Sequence, residues 1–221
     1  MKKKVLVTLL VIALALVSVS AKDLGIKVGG ELGWGIQTGS SKINVASYDS
    51  SEMKTTNNGF SLNLTGEYAF DKNWSVKADM GLMFAGKSKF TTEGVSETAE
   101  KASGVYFDFA VDGKYTYAIN KQFSVSGLAG IEMVSGYLAK LGTSRDEEYL
   151  KNFGMGLNFG VEGGYSLNEK ITITAGFDFS WLFINTSKLV EKAKEEAKNN
   201  GGKVSIVNLY MRPYVGATYA F

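Results

Sequence analysis

Apolar and polar positions alternate along most of this 221-residue chain. From Leu24, "LGIKVGGELGWGIQ" places Ile26, Val28, Leu32, Trp34 and Ile36 on one parity, with Lys27, Gly29, Glu31, Gly33, Gly35 and Gln37 on the other. Side chains of a strand point alternately to its two faces, so a period of two predicts a strand with one apolar side. Seven further segments repeat the pattern. The second runs through Phe60, Leu62, Leu64, Tyr68 and Phe70, and the third through Trp74, Val76, Ala78, Met80, Leu82 and Phe84. The fourth carries Val105, Phe107, Phe109, Val111, Tyr115 and Tyr117, and the fifth Phe123, Val125, Ala129, Ile131, Met133 and Tyr137. The sixth spans Phe153 to Leu167, the seventh Ile171 to Phe183, and the eighth ends on Val215, Ala217, Tyr219 and Phe221.

A phrase recurs where these segments meet: "YAFDKNWSV" from Tyr68, "YAINKQFSV" from Tyr117 and "YSLNEKITI" from Tyr165. At its centre stand Asp71-Lys72-Asn73, Asn120-Lys121-Gln122 and Asn168-Glu169-Lys170, rich in residues that tolerate turn geometry. The remaining connections are long, about 38–58, 87–103, 139–152 and 185–203. Short turns therefore alternate with long loops, and the phrase marks one end of an even-stranded antiparallel meander.

Alternation alone does not say which face meets water. The apolar parity holds nearly all the bulky aromatics, whereas the other is dominated by Gly, Ser, Thr, Ala and Asn with a few charges of both signs. An eight-stranded barrel has room inside for modest side chains only, so the bulky face belongs outside. No charged residue stands on the bulky parity within the segment cores. One Lys or Arg at the bilayer midplane would cost about 2–4 kcal/mol, so this is the pattern of a lipid-facing surface. Aromatics gather toward both segment ends, as two interfacial girdles would require.

The first residues change the charge balance. "MKKKVLVTLLVIALALVSVSA" joins three lysines to an apolar run and to Val19-Ser20-Ala21, a signal-peptidase pattern, so 1–21 is expected to be a cleaved signal peptide and 22–221 one barrel domain. The run from Val5 to Val17 is too short for the roughly 20 residues of a spanning helix. Losing Lys2, Lys3 and Lys4 turns 24 basic against 22 acidic residues into 21 against 22, a net −1 that leaves no nucleic-acid footprint. The absence of cysteine excludes disulfides and thiolate metal sites.

With its leader, its eight alternating segments and the terminal "YVGATYAF", the chain resembles the small outer-membrane β-barrel proteins of the OmpA, OmpX and OmpW kind. The resemblance implies an all-β, eight-stranded antiparallel up-and-down transmembrane barrel in the outer membrane of a diderm, Gram-negative-type bacterium, with short periplasmic turns and four long extracellular loops. It also implies that the barrel assembly machinery reads the last strand, here Val215, Ala217, Tyr219 and Phe221.

The parity assigns Glu31, Glu67, Asp79, Asp108, Asp112, Glu132, Glu162 and Asp178 to the interior with Lys27, Lys77, Lys114 and Arg212. Buried charges need partners, so a polar network is expected. If Phe70 and Trp74 close the first hairpin, Glu67 falls opposite Lys77, and a direct pair is expected there. Like counting sets Asp112 opposite Gly130, Glu162 opposite Gly176 and Asp178 opposite Gly160, leaving space for large polar groups to lie across the lumen. The excess of acids fits either a cation-attracting path or a hydrated plug satisfied by Tyr106, Tyr210, Tyr214 and Ser and Thr hydroxyls; eight-stranded interiors are normally filled, which favours the plug.

No catalytic residue, cofactor or metal is assigned. The chain lacks histidine, the general base of comparable outer-membrane hydrolases and acyltransferases, and carboxylate-only chemistry at Glu162 and Asp178 is disfavoured against a structural ion network. Asp146, Glu147 and Glu148 read as a solvated acidic face. In the last long connection, "SKLVEKAKEEAKNNGG" has a narrow apolar stripe at Leu189, Ala193 and Ala197, and a short helix is expected. The first connection reads as polar, unpatterned loop. The sequence thus points to a non-enzymatic scaffold that displays surface loops for extracellular contact or envelope integrity. Its partners are outer-membrane lipid, the assembly machinery and an extracellular ligand of the loops, with no nucleic acid. A narrow channel for small or hydrophobic solutes is the alternative, and a lipid-acting enzyme the third.

Overall fold

A computed structural model describes residues 25–45, 48–92, 95–99, 104–137, 151–186, 194–195, 198–199 and 203–221. The expected leader, the acidic triplet 146–148 and most of the last long connection lie outside them. The strands are β1 (Ile26–Val45), β2 (Tyr48–Ala69), β3 (Trp74–Thr92), β4 (Val95–Ala99), β5 (Gly104–Ala118), β6 (Phe123–Tyr137), β7 (Lys151–Ser166), β8 (Ile171–Thr186) and β9 (Lys203–Ala220). Each pairs antiparallel with its neighbours; β1 pairs with β9 and β2 with β3, so the sheet closes on itself. Residues 88–92 of β3 face β4, and residues 74–85 face β5. β4 and β5 are thus one arm of wall, and the barrel is a closed, eight-stranded, up-and-down one.

Closure removes every barrel edge, and the face that side chains choose follows the period of two. In β5, Tyr106, Asp108, Ala110, Asp112 and Lys114 are buried, while Val105, Phe107, Val111 and Tyr115 between them are exposed. Around the outside run Leu32, Leu62, Met80, Leu82, Ile131, Leu157 and Phe177, all exposed. Trp74 stacks edge-on to Tyr115 at 4.9 Å, as Tyr219 does to Phe221 at 5.0 Å, near the short turns; Trp181 and Phe183 meet at 6.3 Å near the other end. Among the described strand cores no charged side chain faces outward.

The repeated phrase is a side-chain-capped turn. Phe70 N–H donates to the Trp74 carbonyl at 3.2 Å, and Ile119 and Leu167 repeat this with Phe123 and Ile171, both at 2.9 Å. Asn120 Oδ1 then accepts from the N–H groups of Gln122 and Phe123 at 2.8 and 2.9 Å, and Asn168 Oδ1 from Lys170 and Ile171, both at 2.9 Å. Asp71 takes one such bond, from Asn73 at 3.1 Å. Asp and Asn stand first in the turn because a short side-chain oxygen there replaces the missing ladder bonds.

The opposite end departs from expectation. Of the residues expected as polar loop, 38–58, those at 38–45 and 48–58 are strand: Thr38 pairs with Thr56 and the ladder continues to Val45 and Tyr48. Much of 87–103 is likewise paired, through Ser88 with Ala99 to Thr92 with Val95. Backbone pairing needs no apolar alternation once a strand has left the bilayer, so period counting stopped at the membrane edge. In the last connection Lys194, Glu195, Lys198 and Asn199 are helical, in keeping with the expected short helix.

Among the described residues the ladders slip at three places, one between Ile43 and Val45 where β1 meets the start of β2, and two at bulges farther from that end. The register slips between Asn58 and Gly59, leaving Gly86 extra, and between Met155 and Gly156, leaving Phe183 extra. At the second, Phe183 and Ile184 are consecutive in the chain and both exposed. Each bulge opposes a glycine without room for a Cβ: one added to Gly59 would lie 2.0 Å from the Phe84 carbonyl oxygen, and one added to Gly156 would lie 1.8 Å from that of Trp181. Gly66, with nothing within 4 Å of its would-be Cβ, supplies the contrast. Gly156→Val should lose most of the folded band in unheated gel electrophoresis after refolding, whereas Gly66→Val should keep it.

Candidate functional site

The inward parity converges in a narrow interior, and every charged residue assigned to it from the sequence is there. Glu31, Glu67, Lys77, Asp79, Asp108, Asp112, Lys114, Glu132, Glu162, Asp178 and Arg212 are all buried; Lys27 sits at the short-turn rim with 37% of its side chain exposed. The opposing pairs Glu67 with Lys77, Asp112 with Gly130, Glu162 with Gly176 and Asp178 with Gly160 all occur in the ladders.

The ion contacts form one alternating chain. Lys27 Nζ reaches Glu67 at 2.8 Å, Glu67 reaches Lys114 at 2.8 Å, and Lys114 reaches Glu162 at 2.6 Å. Glu162 meets Lys77 at 3.0 Å, Lys77 meets Glu31 at 2.6 Å, Glu31 meets Arg212 at 3.0 Å, and Arg212 meets Asp178 at 2.7 Å. Four cations and four anions thus alternate across seven strands, with Asp79 branching from Lys77 at 3.5 Å. Tyr214 braces the middle: its hydroxyl donates to Glu162 at 2.9 Å, and the Lys77 ammonium and Arg212 guanidinium stand 4.9 and 4.8 Å from its ring centroid. The ring fits because Gly176 has no Cβ, which would approach it to 2.5 Å.

The direct Glu67–Lys77 ion pair expected from register does not form. Lys77 instead crosses the lumen to Glu31 and Glu162, and Glu67 is taken by Lys27 and Lys114. Inside a small closed barrel side chains converge on the axis, so a four-carbon lysine stem reaches the opposite wall as readily as its cross-strand neighbour.

Three interior acids have no cation within 4 Å among the described residues. They take neutral partners instead. Asn63 Nδ2 donates to Asp108 at 2.6 Å, Asn158 Nδ2 donates to both oxygens of Asp112 at 3.0 Å, and Ser180 Oγ contacts Glu132 Oε2 and, at 2.9 Å, Asn158 Oδ1. No grouping of three or more Asp, Glu, His or Cys among the described residues could hold a metal ion.

Toward the long connections the interior turns apolar. Met83, Ala85, Tyr106, Val134, Leu182 and Tyr210 form a buried cluster. The Tyr106 and Tyr210 hydroxyls, expected to help satisfy the charges, have no hydrogen-bond partner among the described residues. Parity reading passed over Met83, Val134 and Leu182 because it labelled their face polar. The signal was present: Leu82-Met83-Phe84 and Trp181-Leu182-Phe183 are apolar on both parities.

A family model described as the outer membrane protein beta-barrel domain matches residues 9–209. Among solved structures the chain is similar to Neisserial surface protein A, with 12% identity, 89% of this chain and 97% of that one covered, and a TM-score of 0.51. Ail, the attachment invasion locus protein of Yersinia pestis, solved with the heparin analogue sucrose octasulfate, aligns at 18% identity over 87% of this chain and 99% of its own with a TM-score of 0.42. The N-terminal barrel domain of Pseudomonas aeruginosa OprF gives 9%, 85%, 97% and 0.46 for the same quantities. At such identities the likeness is one of fold alone. Against curated protein sequences the chain has no match.

Removing one member of a buried ion network leaves its partners uncompensated, at a cost of about 3–5 kcal/mol. Lys77→Met should therefore lower the urea midpoint of the folded barrel markedly. Adding Glu162→Gln should recover part of the loss, and adding Glu67→Gln should recover none, since Glu67 keeps Lys27 and Lys114. Equal rescue by both would contradict the chain of contacts.

Proposed function

Since the chain belongs to the outer membrane protein β-barrel domain family, whose barrels sit in the lipid of the bacterial outer membrane, we propose that it is a non-enzymatic scaffold with a closed lumen, displaying its long connections for extracellular contact or envelope integrity. The observation that carries this reading is the stacking of an ion chain and a buried apolar cluster inside one narrow barrel. The ion chain fills the half nearest the short turns, and Met83, Tyr106, Val134, Leu182 and Tyr210, each no more than 1% exposed, fill the other. A solute path would have to displace charges from their partners and open a packed apolar layer, and neither is cheap.

The orientation follows from the same reading: the capped turns face the periplasm, and contact with a ligand falls to the connections of the other end. Residues 1–21 are the signal peptide of this proposal and 22–221 its single mature domain. Val215, Ala217, Tyr219 and Phe221 serve as the strand read by the assembly machinery. Support comes from their place at the closing seam, where Phe221 N–H donates to the Ile26 carbonyl at 3.2 Å and Tyr219 pairs with Val28 on one side and Ile171 on the other.

Purified protein in a planar bilayer should show no steady ion conductance. Sustained conductance would replace this reading with that of a narrow channel. Deleting Phe221 should sharply reduce the heat-modifiable, folded band in outer membranes, and an undiminished band would remove the terminal strand from its assigned role.

A further inference from the structure

Four inward side chains of the consecutive strands β5 to β8 are linked in one line: Glu132 of β6, Ser180 of β8, Asn158 of β7 and Asp112 of β5. Asn158 Nδ2 donates to both oxygens of Asp112 at 3.0 Å, which turns its Oδ1 toward Ser180 Oγ at 2.9 Å; Ser180 Oγ also touches Glu132 Oε2. A serine hydroxyl carries one hydrogen, a carboxylate carries none, and an amide oxygen only accepts. Ser180 therefore faces two acceptors, Glu132 Oε2 and Asn158 Oδ1, with one hydrogen to give. One of the two contacts is left without a proton if Glu132 is ionised.

Turning the Asn158 amide over does not repair the count. Its nitrogen would then serve Ser180, the hydroxyl would serve Glu132, and the amide oxygen would face the Asp112 carboxylate, acceptor against acceptor. In either orientation the four groups are one proton short. All four are buried, at 2 to 3% exposure for Glu132 and Asn158, where an unmade contact of this kind is not relieved by bulk water.

We propose that this relay is a proton-binding site and that, in the orientation observed, the proton sits on Glu132 Oε2. Glu132 then donates to Ser180 Oγ, Ser180 donates to Asn158 Oδ1, and Asn158 donates to the Asp112 carboxylate, so that every hydrogen in the line has an acceptor. The surroundings fit a neutral Glu132. Asp108 on β5 and Asp178 on β8 lie near enough to repel a charge there, and Tyr210 of β9 packs against the same region. Arg212 of β9, a cation whose field reaches Glu132, is already held by Glu31 and Asp178. At the other end both oxygens of Asp112 accept from Asn158 Nδ2, so the line needs no proton on Asp112 in this orientation.

The test is infrared spectroscopy of the full chain folded in lipid vesicles at neutral pH. The wild type should show the C=O stretching band of a protonated carboxyl, and isotope-labelled glutamate should shift it. Glu132→Gln, whose amide nitrogen can donate to Ser180 from the same place, should fold and lose the band, while Asp112→Asn should keep it. Refolding from urea in weakly buffered solution should take up about one proton more in the wild type than in Glu132→Gln. Absence of the band in the wild type, its insensitivity to labelled glutamate, or its loss in Asp112→Asn alone would each overturn the assignment. The wild-type spectra decide the matter even if a variant does not fold.

Discussion

The structure depends on one electrostatic constraint: a barrel of eight strands brings its inward side chains close together, and among the described residues the eleven charged ones away from the rim are buried. Whatever is charged there must find an opposite charge or a hydrogen-bond partner among the other inward side chains. The chain of contacts from Lys27 to Asp178 is the solution this sequence uses. It alternates sign at each step, joining adjacent strands toward its two ends and non-adjacent strands between them. It therefore ties strands that are not neighbours in the sheet, β2 to β5 and β3 to β7 among them. Backbone ladders hold each strand to the next; the ion chain holds strands farther apart.

The outside and the inside of the wall obey different limits. Outside, lipid excludes charge and the surface need only be apolar, so large side chains stand free along the strands. Inside, volume is the limit, and glycines opposite the long polar groups and rings supply it: Gly176 makes room for Tyr214, and Gly136 for Tyr106. The same residue type serves a third purpose at Gly59 and Gly156, where the backbone of a bulge comes too close for any side chain. A count of glycines would not separate these uses; the neighbour of each does.

Much of this was legible in the sequence, and what was not had physical reasons. Period-two alternation gave the barrel strands and their faces, because lipid and a packed interior both penalise the wrong side chain. The Asp and Asn of the repeated phrase marked the turns, and turn length set the register that places Glu67 beside Lys77. Register did not give the partners of Lys77, since convergence on the axis lets it choose Glu31 and Glu162, although Lys27–Glu67 and Asp178–Arg212 are direct ladder neighbours. Nor did alternation reveal the paired extension from Thr38 to Val45, where neither lipid nor packing imposes a pattern. Met83, Val134 and Leu182 escaped notice because a face labelled polar by its other members was taken to be polar throughout.

That the interior is sealed is the central claim, and thiol labelling tests it most directly. The chain has no cysteine, so a single Ser61→Cys places one near-isosteric probe at a position with 0% exposure, at the join between the polar and apolar halves of the lumen. A small, charged, water-soluble thiol reagent should leave this cysteine unmodified in the folded barrel, modify it fully in urea, and react quickly with a Lys72→Cys control in an exposed turn. Labelling of folded Ser61→Cys at a rate comparable to the control would mean that water and solutes reach the middle of the barrel, and the account of a closed, charge-compensated interior would fail.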